Sequence, residues 1–310
     1  MLGIAAVERD TGISKDSLRI WERRYQFPQP LRDAQGERAY PPEQVHKLRL
    51  IRRLLDQGHR AGRLVPASVD SLQQLLGEAQ RQAVGQMASV PAVAAEQAPF
   101  LEALRAHDVE GLRRLLGQAL LRMGLEEGVM SLIAPLTTQV GELWMRGELQ
   151  VFEEHIYSES LQRVLRQALQ AMPRAAQAER PRVLLTTLPG EQHGLGLLMA
   201  EVLLTLEGCA CLSLGVQTPP ADIEMAAAAH RADIVALSFS GYMNAAQVAE
   251  ALAELRARLP AAVELWAGGS SPALLKRNSL AGLLPLTRLS AIAEQVRRWR
   301  AGAATLPSQG

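Results

Sequence analysis

Val183-Leu184-Leu185-Thr186-Thr187-Leu188-Pro189-Gly190-Glu191-Gln192-His193-Gly194-Leu195-Gly196-Leu197-Leu198-Met199-Ala200 is the stretch whose reading decides the fold. A short apolar run, a Gly-containing turn and then a helical pattern make the first βα unit of a parallel sheet. Ligands of such sheets bind in the crevice beyond the carboxyl ends of the strands. A histidine in that loop, two residues after a carboxylate and beside two glycines, suits a metal ligand. The carboxylate holds its second ring nitrogen, and the glycines let a bulky group approach. Taken alone, Glu-x-His also describes an ordinary polar loop at the edge of a parallel sheet.

Further along the chain, apolar runs at Val183–Thr187, Cys211–Leu214, Ile234–Ser238, Val263–Ala267 and Leu283–Leu286 alternate with helical patterns such as Ala245–Leu259. This alternation predicts a doubly wound, flavodoxin-like (Rossmann-type) sheet over residues 181–301. Between Gly196 and Ser238 of Ser238-Phe239-Ser240 lie 41 residues, and 27 lie between Ser240 and the pair Gly268-Gly269. Three elements in this register resemble the cobalamin-binding fingerprint of methionine synthase and the adenosylcobalamin mutases. The resemblance implies cobalamin bound base-off, with His193 as the cobalt ligand on the lower face and Glu191 orienting it. It also implies that Gly196 makes room for the nucleotide tail, Ser238 faces the tail's base, and Gly268 and Gly269 line the far end. Ser240 stands where the pattern has Leu, which is expected to make that wall of the slot more polar.

Residues 1–66 carry 13 Lys and Arg against 8 Asp and Glu, a local charge of +5 in a chain whose formal charge is +1. Ile4-Ala5-Ala6-Val7 starts a short helix, Thr11-Gly12-Ile13 turns, and Ser14 can cap a second helix through Arg24. Two short helices joined by a Gly turn have the helix-turn-helix layout, whose second helix enters the major groove. Leu18 and Trp21 take its inward positions, leaving Lys15, Arg19 and Arg23 outside for phosphates or base edges. A solvated basic helix is the bland reading. Arg32–Tyr40 then reads as a hairpin with a Gly turn, and Pro41-Pro42-Glu43 opens a helix that ends near Gly58.

Ile4-Ala5-x-Val7, Gly12-Ile13, Leu18-Arg19-x-Trp21-Glu22-x-Arg24-Tyr25 and Arg38-x-Tyr40 together resemble the MerR family of winged helix-turn-helix regulators. The resemblance covers residues 1 to about 66 and implies a module that contacts double-stranded operator DNA on paired half-sites. Lys15, Arg19, Arg23, Arg24, Arg38 and Tyr40 are its expected DNA contacts, and Trp21 is expected in the core. The expected domain runs over residues 1–76. Residues 77–98, rich in alanine and glutamine with little bulky apolar content, read as a linker.

From residue 99 to about 175 the apolar spacing is helical throughout, with breaks at Ala106-His107-Asp108, Gly124 and Met145–Glu148. A four-helix bundle is predicted. Nine residues separate Trp144 from Glu154-His155. By itself this is a core aromatic followed by a solvated helix start. Next to a cobalamin-like domain, Trp, nine residues and Glu-His resemble the cap of the MerR-type, adenosylcobalamin-dependent photoreceptor repressors of carotenoid synthesis. The domain order matches too. The resemblance implies a cobalamin-dependent transcriptional repressor responsive to light, with Trp144, Glu154 and His155 against the upper axial group. Adenosylcobalamin is the expected form, with methylcobalamin or hydroxocobalamin as alternatives. A homo-oligomer, dimer or tetramer, is also implied. Met145 departs from members that carry His directly after the Trp. It supports the alternative of a light-independent cobalamin sensor or partner-regulated regulator. A corrinoid methyl carrier or mutase subunit is disfavoured, because a fused DNA-binding domain is unexpected there.

Length suggests two or three domains, and 48% hydrophobic residues suffice for buried cores. Cys209 and Cys211 are too few for a disulfide framework and read as small core side chains on one face of a strand. No basic flank precedes an apolar run at the N-terminus, and no run of about 18 apolar residues occurs, so a cytoplasmic protein without membrane contact is expected. No catalytic residue is expected, and residues 302–310 are expected to be disordered.

Overall fold

The computed structural model describes residues 1–32, 36–56, 59–75, 90–172, 180–241, 243–275 and 280–304. The chain divides into two compact units, Met1–Ala95 with Gln139–Glu154, and Glu96–Thr138 with His155–Gly310. This division departs from the expected domain boundaries, because residues 139–154 join the first unit.

In the first unit the elements run β1 (Leu2–Gly3), α1 (Ile4–Thr11), α2 (Lys15–Tyr25), β2 (Leu31–Arg32), β3 (Arg38–Tyr40), α3 (Pro42–Asp56) and α4 (Ala61–Leu64). Gly12, left-handed at φ 66°, ends α1 by donating its N–H to the Glu8 carbonyl at 2.9 Å. Ser14 caps α2, its hydroxyl accepting the Ser17 N–H at 3.2 Å. The wing is a three-stranded antiparallel sheet, β1-β3-β2, with Leu2 opposite Tyr40 and Leu31 opposite Ala39. Two residues of β1 are too few to show alternation, so this strand leaves no mark in the sequence. Leu18, Trp21, Tyr40, Leu48, Ile51 and Leu54 form the core.

Next along the chain, α5 (Val90–Arg105), α6 (Val109–Met123), α7 (Leu125–Glu127), α8 (Ala134–Met145) and α9 (Val151–Ala171) supply the four predicted helical segments. The third is interrupted: α7 passes into a π-helical stretch, Gly128–Ile133, before α8 begins. The linker expected at 77–98 lies outside the described residues as far as residue 89. From Val90 the chain is helical, with Pro99 inside α5. The alanines that read as lack of bulk are also strong helix formers, and that property prevails. The Thr137 and Tyr157 hydroxyls meet at 2.7 Å and tie α8 to α9.

The sheet follows, with β4 (Arg182–Thr186), α10 (Leu195–Leu206), β5 (Ala210–Gly215), α11 (Pro220–Ala229), β6 (Ile234–Phe239), α12 (Ala245–Arg258), β7 (Glu264–Gly269), β8 (Leu283–Leu286) and α13 (Ile292–Ala304). Its five parallel strands lie in the order β5-β4-β6-β7-β8. This is the flavodoxin-like order, in which the crevice opens between β4 and β6 where the winding reverses. Val235, Leu237, Leu265 and Ala267 pack under Val248, Leu252 and Leu255 of α12. Cys209 is buried just before β5 rather than on it, and burial pushes the Cys211 thiol up to about 12. Helix α13 runs three residues into the tail expected from 302, and residues 305–310 lie outside the described residues.

Candidate cofactor site and DNA-binding face

The loop after β4 is built around a buried carboxylate. Glu191 has no exposed surface, and each of its oxygens accepts two hydrogen bonds. Oε1 receives the His193 N–H at 2.9 Å and lies 2.7 Å from His193 Nδ1. Oε2 receives the Ser240 N–H and the Ser240 hydroxyl, both at 2.7 Å. Burial alone pushes the Glu191 carboxyl up. The bonds from the His193 ring, the Ser240 side chain and the His193 amide outweigh it and hold the carboxyl below its usual value. A carboxylate accepting at Nδ1 places the imidazole proton there, so Nε2 carries the lone pair. The His193 side chain remains 57% exposed. A half-exposed ring fixed from behind by an ionised carboxylate is suited to ligate a metal.

Thr187 anchors the loop from below. Its hydroxyl donates to the Glu191 carbonyl at 2.7 Å and accepts the Gln217 N–H at 2.8 Å, while its carbonyl accepts the Thr218 N–H at 2.9 Å. The loops after β4 and β5 are thus fastened together under the carboxylate.

The three motif elements converge at one sheet edge. Ser238 pairs in register with Gly268, and Phe239 with Gly269. A Cβ on Gly196 would come 2.8 Å from the Ser238 hydroxyl and would force it to shift, so glycine favours this close approach of α10 to the end of β6. A Cβ on Gly269, at φ 111°, would come 2.0 Å from the Phe239 carbonyl oxygen. Among the described residues no group of three or more His, Cys, Asp or Glu could hold a metal ion. The glycine-cleared edge beside His193 fits a bulky group such as a macrocycle-bound cobalt. The Ser240 hydroxyl donates to Glu191, a role beyond the more polar wall expected of it. The sequence pattern registers a Leu-to-Ser change there, and nothing local reveals a partner 49 residues away.

The cap residues are divided. Trp144 ends α8 and Glu154 lies near the start of α9, both in the first compact unit, while the next residue, His155, begins a segment of the second. The Met145 side chain lies outside the described residues.

On the DNA-binding module, Arg23 and Arg24 are exposed on α2, with Arg24 5.4 Å from the Tyr25 ring centroid. Lys15 pairs with Glu8 at 3.3 Å, and Arg19 with Asp16 at 3.4 Å. Arg38 donates to Glu22 at 3.0 Å, tying the wing to α2, and that hydrogen bond raises its pKa. Tyr40 departs from its expected place at the DNA. It is wholly buried in the core, where burial raises its hydroxyl pKa. Its aromatic bulk on the inward position of a three-residue strand settles the matter. No helix among the described residues is long and apolar enough to cross a membrane.

Comparison with known proteins agrees with this architecture. Residues 2–62 match the MerR HTH family of regulatory proteins. Residues 97–169 and 181–283 each match a family described as a B12 binding domain. The chain is 30% identical over 263 residues to the HTH-type transcriptional repressor CarH of Myxococcus xanthus, covering 84% of this chain and 86% of the relative. It is 30% identical over 244 residues to the repressor CarA of the same organism, covering 77% and 76%. The monomethylamine corrinoid protein of Methanosarcina barkeri shares the fold, with a TM-score of 0.50 at 17% identity over 63% of this chain and 94% of that one. With a MerR-type helix-turn-helix at its N-terminus and B12-binding regions behind it, the chain belongs to the family of HTH-type transcriptional repressors typified by CarH and CarA.

Proposed function

We propose that this protein represses transcription in a cobalamin-dependent manner, holding adenosylcobalamin base-off on His193 and responding to light through a change of oligomeric state. The observation that carries the reading is the Glu191–His193 pair, a half-exposed imidazole oriented by a wholly buried, four-times hydrogen-bonded carboxylate. Adenosylcobalamin supplies a cobalt–carbon bond that visible light cleaves.

The chain's own residues do the rest. Glu191 keeps the proton on His193 Nδ1 and so presents Nε2, while the two donors of Ser240 keep Glu191 ionised. Gly196 with Ser238, and Gly268 with Gly269, flank the nucleotide tail. Trp144, Glu154 and His155 cover the upper face, so loss of the adenosyl group removes packing from the cap and shifts the balance between assemblies, dimer or tetramer. Lys15, Arg19, Arg23, Arg24 and Arg38 contact the operator. Methylcobalamin and hydroxocobalamin fit the same lower-face chemistry, with no adenosyl group for the cap.

One sequence feature favours a second reading. Met145 follows Trp144, and a thioether is a soft ligand poorly matched to oxidised cobalt. A light-independent cobalamin sensor would need no second nitrogen at that position. The two readings part when the protein is loaded with adenosylcobalamin in darkness and its spectrum and hydrodynamic size are followed before and after green light. A change in both supports the light-responsive repressor. A stable spectrum with unchanged size supports the sensor. Failure to retain any cobalamin refutes both.

A further inference from the structure

The turn between α8 and α9, which carries Trp144, is docked on the DNA-binding module. Arg49 and His46 stand one turn apart on α3 and meet it together. Arg49 donates from Nε and Nη2 to the two oxygens of Asp10 on α1, at 3.0 and 2.9 Å, a bidentate fork that fixes the plane of the guanidinium. Its Cζ lies 5.1 Å from the centroid of the Trp144 ring, and only 14% of the Arg49 side chain is exposed. Beside it, the turn bends at Gly147, left-handed at φ 74°, where a Cβ would come 3.0 Å from His46 Nδ1. Burial, and then the Arg49 charge, lower the His46 pKa, so the ring packs on the turn as a neutral group. The turn closes on itself by the Gly147 N–H to the Trp144 carbonyl at 3.0 Å and the Glu148 N–H to the Leu143 carbonyl at 2.9 Å.

A winged helix-turn-helix does not need these contacts to fold, since its core of Leu18, Trp21, Tyr40, Leu48 and Ile51 closes without them. What they accomplish is to seat the indole of another segment on a cation that is mostly removed from water, where a cation–π contact is strongest. A guanidinium held flat by Asp10 is suited to this in a way a lysine is not.

We propose that Arg49 and Trp144 form an intrachain latch through which the DNA-binding module senses the cobalamin cap, the guanidinium and the upper axial group competing for the same indole. The inference rests on the reading of Trp144 as the residue that packs against that group. Competition is reciprocal: whatever Arg49 takes from adenosyl binding, adenosyl binding takes from the docking of the turn on α3.

The test uses the full-length protein, Arg49→Ala and Arg49→Lys, the second retaining a cation for Asp10 in case the first disturbs folding. Without cofactor, amide hydrogen exchange over residues 143–149 should quicken about tenfold in Arg49→Ala and less in Arg49→Lys, with exchange in the sheet unchanged. In titrations, Arg49→Ala should bind adenosylcobalamin about three- to tenfold more tightly, the worth of a partly buried cation–π contact, and hydroxocobalamin as the parent does. Unchanged exchange in the turn overturns the latch. Equal shifts for both cobalamins overturn the competition, because a general loosening would not distinguish them. A parent that binds neither cobalamin refutes the proposed function and the competition with it, whereas faster exchange in both variants would still establish the docking.

Discussion

Glu191→Gln exchanges an oxygen for an amide at a place where all four neighbours are donors. Gln can keep its carbonyl toward the Ser240 N–H and hydroxyl, now at 2.7 Å each, only by aiming its NH2 at the His193 N–H and Nδ1. The ring can answer by moving its proton to Nε2 and accepting at Nδ1, but this abolishes the lone pair a metal needs. The His193 backbone N–H has no such escape and is left facing a donor. One lost bond to a charged acceptor and one misplaced donor come to roughly 2–4 kcal/mol of local stability. The cobalamin affinity should fall on the order of 10–100-fold, the usual consequence of removing the partner of a metal-bound histidine. Absorption titrations of parent and variant with hydroxocobalamin at neutral pH read the affinity and the axial ligation together. A variant that matched the parent in both would refute the assignment of Glu191 as the group that sets the His193 tautomer.

The remaining predictions concern the same carboxylate, its ligand, the glycine edge and the DNA face. The folded-state pKa of Glu191 is depressed below its ordinary 4.5, so its stabilisation is present above that value and lost as pH falls through the lower, folded one. Thermal unfolding between about pH 6 and pH 3 should show an acid limb that Glu191→Gln flattens, and an identical limb in both proteins would count against it. His193→Ala should weaken cobalamin binding substantially and give a spectrum without protein ligation, and an unchanged spectrum would remove His193 from beneath the cobalt. Gly269→Ala should destabilise the sheet domain by about 2 kcal/mol or more, because its Cβ meets the Phe239 carbonyl oxygen at 2.0 Å on a left-handed backbone. Calorimetry decides this, with a shift below about 1 °C as the contrary result. Arg19→Ala and Arg38→Ala should each lower the salt slope of operator binding by about one where the contact is to phosphate. Arg38→Ala should also loosen the wing by freeing Glu22, a loss visible as affinity that does not recover at low salt.

Most of the sheet domain was legible because its signals are local. Each strand is an apolar run bounded by turns, and the spacings after Gly196 and Ser240 work because βα units have nearly fixed lengths. Ser240, Thr187 and Gln217 were not legible as partners of the Glu191 loop. The contacts of Gln217 with Thr187 and of Ser240 with Glu191 join residues 30 and 49 positions apart, and a serine advertises no partner. Tyr40 misled for a related reason. On a basic wing an aromatic with a hydroxyl reads as a contact, and only the packing of β3 over α3 shows its ring facing inward. The docking of the Trp144 turn on Arg49 was hidden because Arg49 reads as one more cation of a basic helix, and its pairing with Asp10 spans 39 residues.

The π-helical stretch at Gly128–Ile133 works as a rotational setting for everything after it in that helix. An α-helix advances by about 100° per residue, so one residue accommodated as a wide turn reorients the following segment by that angle without lengthening it noticeably. Leu132 within the widened stretch and Leu136 after it are both buried, while Trp144, two turns further on, presents its indole on an azimuth that a regular helix would not give it. Straightening this stretch into a regular helix with no residue removed would swing the indole by about 100°, whereas a single-residue deletion that removes the wide turn would leave it in place. The bearing of Trp144 is thus encoded eleven or more residues upstream of it, where an alignment of the Trp and Glu-His motif alone would never look.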